Sequence, residues 1–181
     1  MLGSHNTFTY MKPTKWWMYI FQPFVKCQSS TLEEQVAKGV NLVDIRLQYN
    51  DGWKVCHGLV EYCYFSHALH LIIKNNIKNV RILFEDSFEY NDAHKTSIDR
   101  ILKCYMVSHK LVFYECRNKF DWSQPIGNYP TLEPLSQIVG SMQSWYGRII
   151  PKLYTIFNKK KINNIYNNKD INKRYLFDFI K

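Results

Sequence analysis

Strand-like and helix-like signals alternate along this chain, and the alternation predicts an α/β fold built on a parallel sheet. Two further observations bound that reading. At 181 residues the chain has the length of one domain, 1–181, and 46% hydrophobic with 16% aromatic residues supplies a core and excludes disorder as a description of the whole. No apolar run approaches the ~20 residues that a membrane-spanning helix needs.

The elements follow in order. Ser30-Thr31-Leu32-Glu33-Glu34-Gln35 carries the signature of a helix start, with a hydroxyl cap and acidic residues in the first turn, and Gly39 ends that helix. Val40–Leu47 is a strand whose alternate side chains Asp44, Arg46 and Gln48 share one face. Asn50-Asp51-Gly52 marks a tight turn, and Trp53–His57 returns as a short strand. Val60–Asn75 is predicted helical, Val80–Glu85 is a buried strand, Asp92–Val107 an amphipathic helix, Leu111–Cys116 a strand and Leu132–Met142 a helix. Pro151–Asn168, rich in Lys, Asn, Ile and Tyr, has no clear period. Tyr175–Ile180 is a last short strand, and the Asn- and Lys-rich stretch 158–173 is expected to be a mobile basic loop.

The formal charge of +9 is uneven. From Arg148 onward there are nine basic residues against Asp170 and Asp178, whereas the first 147 residues hold 15 basic against 13 acidic. A block such as Lys159–Lys161 is either a solvated surface or a contact for an anionic partner. The five cysteines are odd in number, with no C-x-x-C pair, and read as thiols rather than a disulfide framework. A polar stretch, Gly3-Ser4-His5-Asn6-Thr7, stands where a secretory leader would have its apolar region, so a cytoplasmic location is expected.

In α/β proteins, functional groups gather at the carboxyl ends of parallel strands. Here His5 lies near the start, Asp44 and Arg46 late in their strand, and His57 ends the next. Glu85 closes another strand and Asp178 lies in the last. Each alone has a structural explanation, but buried charges at one edge need partners or a task. Two histidines, carboxylates and an arginine suit phosphodiester cleavage. One imidazole takes a proton from the attacking hydroxyl, the other protonates the leaving oxygen, and the guanidinium holds the non-bridging oxygens.

Gly3-Ser4-His5-Asn6-Thr7, Glu34-Gln35 ahead of Gly39-Val40, Val43-Asp44-Ile45-Arg46 and His57-Gly58 together resemble the catalytic X region of phosphatidylinositol-specific phospholipase C. Val80–Asp86, Tyr129-Pro130-Thr131-Leu132 and Leu176-Phe177-Asp178-Phe179 extend the resemblance, which is dense from residue 3 to 58. It implies a TIM-like (β/α) barrel, with His5 as general base and His57 as general acid. It further implies Asp44 and Arg46 as a strand pair in the site, Asp178 as the carboxylate that orients His5, and Asn6 and Glu85 beside the substrate. Against the ~250 residues typical of such a barrel, the chain is short, so a distorted or incomplete second half is expected.

The implied substrate is a phospholipid or other phosphodiester of inositol or glycerol, with peripheral contact to an anionic membrane and no nucleic-acid partner. The rival reading is a catalytically weakened, barrel-like module that grips anionic lipid or nucleic acid through its basic C-terminal region. No cofactor is expected. Asn6, Asp44 and Glu85 are oxygen donors of the kind Ca2+ takes, and resemble the calcium-dependent branch, but that branch is acidic where Arg46 stands. Arg46 is instead expected to pair with Asp44.

Three smaller features complete the reading. Cys63, His67 and His70 would share a helical face but lack a fourth metal ligand, which favours packing. Trp16-Trp17-Met18-Tyr19, flanked by Lys12 and Lys15, either packs a rim loop or meets a lipid interface. No P-loop, G-x-S-x-G or G-x-G-x-x-G sequence is present.

Overall fold

Why Val43, Ile45 and Leu47 should alternate with Asp44, Arg46 and Gln48 is plain in the computed structural model, which describes residues 1–85, 91–114, 137–140, 149–170 and 174–180. Strand β2 (Leu42–Tyr49) turns its odd residues onto a helix-covered core and its even residues toward the inside of a curled sheet. The parallel strands run in the order β7 (Gln137–Val139), β8 (Tyr175–Phe177), β1 (Leu2–Ser4), β2, β5 (Asn79–Phe84), β6 (Val112–Tyr114). Among the described residues β6 and β7 are the two ends of this series, so the architecture is a half-barrel, the incomplete TIM-like form that the short chain implies.

An antiparallel hairpin, β3 (Trp53–His57) and β4 (Val60–Tyr64), grows from the upper half of β2, with Arg46 opposite Cys56. The turn into it places Asp51 and Gly52 at positive φ, as Asn50-Asp51-Gly52 requires.

The larger core lies between β2, β5 and β6 and the helices α3 (Phe65–Lys74) and α4 (Asp92–His109). It is filled by Phe8, Leu69, Ile72, Ile82, Ile98, Leu102 and Phe113. Truncating one of these to alanine should cost about 2–5 kcal/mol. Helix α2 (Leu32–Ala37) starts with the expected capping box, in which Thr31 accepts from the Glu34 N–H and Glu34 from the Thr31 N–H, and Gly39 follows at φ +89°.

A smaller core joins β1, β7 and β8 to α5 (Pro151–Phe157) and α6 (Lys159–Asn167).

Three expectations need correction. Val60–Tyr64 is a strand, because its β-branched and aromatic residues pair with β3 across a turn at Gly58 (φ +58°), and the helix begins only at Phe65. Cys63 therefore does not share a helical face with His67 and His70. The 158–173 stretch is not a loop where described. Ile162, Ile165 and Tyr166 stand three and four residues apart and anchor α6 on the smaller core, and the Tyr166 hydroxyl donates to the Lys38 carbonyl at 3.1 Å. Gln137–Val139 is a strand within the segment expected to be helical, pairing in parallel with β8. Asp86, Cys116, Tyr129-Pro130-Thr131-Leu132 and the rest of 132–136 lie outside the described residues.

Candidate active site

Strand β1 ends at Ser4, and the chain turns sharply into His5 and Asn6, the latter in the left-handed region at φ 45°. The turn is locked from several directions. The Thr7 hydroxyl donates to the Ser4 carbonyl and accepts the Asp44 N–H. Thr9 Oγ1 accepts the N–H groups of Cys27 and Gln28, and the fully buried Gln28 side chain donates to the carbonyls of His5 and Phe177. These bonds stitch β1, β2, β8 and the loop through Cys27 into one rim.

His5, 2% exposed, sits in the middle. Its Nδ1 donates to Asp178 Oδ1 at 2.6 Å, which leaves the Nε2 lone pair facing the site. The Asp178 N–H donates to the Val139 carbonyl at 3.0 Å, and Gly140, at φ +138° and without a side chain, leaves room for the carboxylate. His57 ends β3, an antiparallel strand. It reaches the same place because the hairpin folds back alongside Arg46, not because it tops a parallel strand as expected. Its Nδ1 donates to the Val25 carbonyl at 2.6 Å, so its Nε2 also faces inward. The Asn6 carboxamide nitrogen lies 3.2 Å from His5 Nε2 and 3.5 Å from His57 Nε2. Burial, then the Arg46 charge, then His5 push the His57 pKa down to about 3, so the ring is neutral at neutral pH.

Asp44 does not pair with Arg46. It stands opposite Arg81 in the parallel register of β2 and β5, and the Arg81 guanidinium bonds its Oδ1 at 2.5 Å. Its other oxygen accepts the Asn6 N–H at 3.1 Å and lies 3.8 Å from His5 Nε2. Burial alone would raise the Asp44 pKa, but Arg81, with His5 and Arg46, outweighs it and holds the carboxyl below its ordinary value. Arg46 lies two residues further up the strand, near the tip of β5, where its guanidinium is 3.6 Å from Glu85. Glu85 in turn accepts the Gly58 N–H at 3.1 Å. Arg46 Nε has no hydrogen-bond partner among the described residues.

All seven residues singled out from the sequence thus form one connected group: His5, Asn6, Asp44, Arg46, His57, Glu85 and Asp178. His5 is buried, while His57 is partly accessible. Such a group offers two oriented imidazole nitrogens, a cation beside them, and in Asp44 a carboxylate held in its charged form by Arg81.

Among solved structures, the phosphatidylinositol-specific phospholipase C from Listeria monocytogenes superposes on 100% of this chain and 88% of that chain, with a TM-score of 0.68 and 16% identity. The fold is phospholipase C-like. A double mutant of the phosphatidylinositol-specific phospholipase C from S. aureus overlaps 60% of this chain and 36% of that chain, at a TM-score of 0.43 and 16% identity, and has no weight beside the first. No protein-family model matches the chain, and no curated protein matches it.

Four residues of this phospholipase C-like rim escaped the sequence reading. Arg81 carried a usable signal, since a lone arginine inside the apolar strand Val80–Phe84 demands an acidic partner. Gln28, Cys27 and Gly140 carried none, because their importance comes from contacts 23 to 152 residues away along the chain for Gln28, and from other non-local ones, to Asn6 and to Asp178, for Cys27 and Gly140.

Proposed function

We propose that this protein is a phosphodiesterase that cleaves an inositol or glycerol phosphodiester, a phospholipid among them, by two-histidine acid–base catalysis. The observation that carries the reading is the pair of imidazoles. Each has its Nδ1 committed outward, to Asp178 or to the Val25 carbonyl, and its Nε2 turned to the same side, where the Asn6 carboxamide lies between them.

In this mechanism His5 Nε2 removes the proton of the attacking hydroxyl as its oxygen bonds to phosphorus. Asp178 fixes the His5 tautomer and, with Asp44, stabilises the imidazolium that forms. Arg46, its Nε unengaged, holds a non-bridging oxygen and meets the charge that grows there. The His57 Nε2–H gives its proton to the leaving oxygen as the P–O bond breaks. His57 is neutral in the empty site, held so by burial first and Arg46 second, so the charge of the bound phosphate must offset both before the ring takes up a proton. Each proton transfer is worth about 10²–10⁴-fold.

The arrangement favours metal-free chemistry. Asn6, Asp44 and Glu85 would be the oxygen donors for Ca2+, but Asp44 is engaged by Arg81 and Glu85 lies beside Arg46. Calcium takes six to eight oxygens, and those donors fit it poorly.

A lipid surface as the source of substrate is supported by the rim. The 3₁₀ helix Trp16–Ile20 and α1 (Gln22–Val25) expose Trp16 (81%), Ile20, Phe21 and Phe24, and α1 packs against α5, which exposes Ile156 and Phe157 (74%). Among the described residues no helix is long and apolar enough to cross a membrane. Val25, at the end of α1, carries the carbonyl that fixes His57, so this rim and the chemistry adjoin.

The exposed Lys159–Lys161 at the start of α6 favour a second reading, an anionic-lipid binding module without turnover. Incubating the protein with phosphatidylinositol vesicles in excess EGTA and following phosphorus NMR separates them. A cyclic inositol phosphate that His5→Ala and His57→Ala fail to produce supports the enzyme. Vesicle binding without any phosphorus product supports the module.

A further inference from the structure

Cys27 is not used in the proposed chemistry, yet its sulfur lies among the site's nitrogen donors. Its Sγ is 3.5 Å from Asn6 Nδ2, the same atom that lies 3.2 Å from His5 Nε2 and 3.5 Å from His57 Nε2. The donor atoms of His5, Cys27 and Asp178 are all within 4.8 Å of one another, and His57 stands just outside that group. The two imidazole Nε2 atoms and the sulfur thus surround the Asn6 carboxamide nitrogen, whose NH2 has two hydrogens for three acceptors, and the sulfur also lies 4.0 Å from His57 Nδ1. The Oδ1 of the same carboxamide is buried without a hydrogen-bond partner.

Behind the converging atoms, Asp178 holds His5 through Nδ1 and the Val25 carbonyl holds His57 through Nδ1. This is the outward anchoring that metal-bound histidines need.

We propose that Cys27, His5 and His57 form a binding site for a soft divalent cation of the zinc type, which excludes the phosphodiester when it is filled. Nitrogen, nitrogen and sulfur are the donors such an ion prefers, and hard Ca2+ is not served by them. To bind, the Asn6 carboxamide turns aside, and the three donors close from 3.2–3.5 Å to the roughly 2.0–2.3 Å of zinc–nitrogen and zinc–sulfur bonds. A half-turn of the same carboxamide would offer its unpaired oxygen as a fourth donor. The S–H bond breaks, the S–metal bond forms and the proton leaves to solvent. The Cys27 thiolate and the Asp178 carboxylate then match the charge of the ion, while Arg46 stays paired with Glu85. Both Nε2 lone pairs are consumed, so neither histidine can move a proton.

The metal site stands on geometry alone, whereas its inhibitory effect rests on the function proposed above, and the test separates the two. Titrating the whole chain with Co2+ should give a thiolate-to-cobalt charge-transfer band in the near ultraviolet, saturating at one equivalent and bleached by Zn2+. In Cys27→Ser the band should vanish, and Zn2+ affinity by competition should fall at least about 100-fold, more than the loss of an orienting partner alone would cause. X-ray absorption on the zinc-loaded wild-type protein should show one sulfur among nitrogen or oxygen neighbours, a measurement that needs no variant to fold. Zn2+ should suppress phosphatidylinositol cleavage more in the wild type than in Cys27→Ser. A sulfur-free zinc shell, or a charge-transfer band that survives Cys27→Ser, would overturn the site. A sulfur-containing shell in a protein that never cleaves phosphatidylinositol would uphold the site and reject the enzymatic reading.

Discussion

Gly140 is the residue against which the Asp178 carboxylate rests, and Gly140→Ala tests whether that carboxylate positions His5. A Cβ built there would lie 2.7 Å from the Asp178 Cβ and Cγ and closer still to Oδ2, where ordinary contact begins at 3.4 Å. The carboxylate must retreat by roughly 1 Å, which takes the 2.6 Å bond to His5 Nδ1 to or beyond the limit of a hydrogen bond. The backbone adds its own strain, since a φ of +138° costs an L-residue on the order of 1–3 kcal/mol. At about 2–4 °C per kcal/mol for a chain this size, the melting temperature should drop by a measurable few degrees. Misplacing a positioned group by 1 Å is worth about 100-fold in rate, so phosphatidylinositol turnover should fall by about that factor while KM changes little. Proton NMR gives a readout independent of turnover. The His5 Nδ1–H resonance should lie far downfield in the wild-type protein, and should move upfield and broaden in Gly140→Ala. A folded variant that keeps both the downfield resonance and full turnover refutes the positioning argument.

Other outcomes follow from the same geometry. His57 has a folded pKa of about 3 against an ordinary 6.5, so the unfolded chain binds the extra proton between those values and stability should decline as pH falls from 6.5 toward 3; His57→Asn should flatten that part of a urea-melt pH series. Arg81→Met leaves Asp44 buried beside fewer cations and should cost about 3–5 kcal/mol by urea unfolding, whereas the double variant Arg81→Met with Asp44→Leu should recover part of it. Trp16→Ala with Phe157→Ala should weaken sedimentation with phosphatidylinositol vesicles in a salt-insensitive way, because the lost contact is apolar. Reversing Lys159, Lys160 and Lys161 to Glu should weaken it at low salt only, while sparing cleavage of a soluble glycerophosphodiester.

The α/β class and most strands were legible because their signals are local. The alternation of Asp44, Arg46 and Gln48 with Val43, Ile45 and Leu47 states which face is buried against helices, and Thr31 with Glu34 states where a helix starts. What failed was non-local. Val60–Tyr64 carries residues that suit strand or helix, and only its pairing with β3 decides. The basic segment ending in α6 reads as low complexity until Ile162, Ile165 and Tyr166 find the core under β8. The Asp44 partner was missed for a similar reason. Spacing along one strand puts Arg46 on its face, but the register with β5, invisible in either strand alone, puts Arg81 directly opposite.

Among the described residues the sheet stops short of a closed barrel, which bears on the chemistry only if the group needs the rest of a barrel to hold it. His5 follows β1, Asp44 and Arg46 lie on β2, Glu85 follows β5 and Asp178 follows β8; these four strands are consecutive neighbours in the sheet, and His57 reaches them through a hairpin grown from β2 itself. One arc therefore holds every residue of the group. The hydrogen bonds that fix it, from Thr7, Thr9, Gln28 and the Val25 carbonyl, also start and end within that arc or its own loops. An arc supported in this way needs no closed barrel to hold two imidazoles in place. It needs a covered outer face, which α3 and α4 provide behind β2 and β5, and α5 and α6 beside β8. The arrangement of charges within the arc then sets the order of events. Burial first and Arg46 second keep His57 neutral, so on the mechanism proposed above the arriving phosphate would have to arm the general acid, and the empty site would hold a base but no acid.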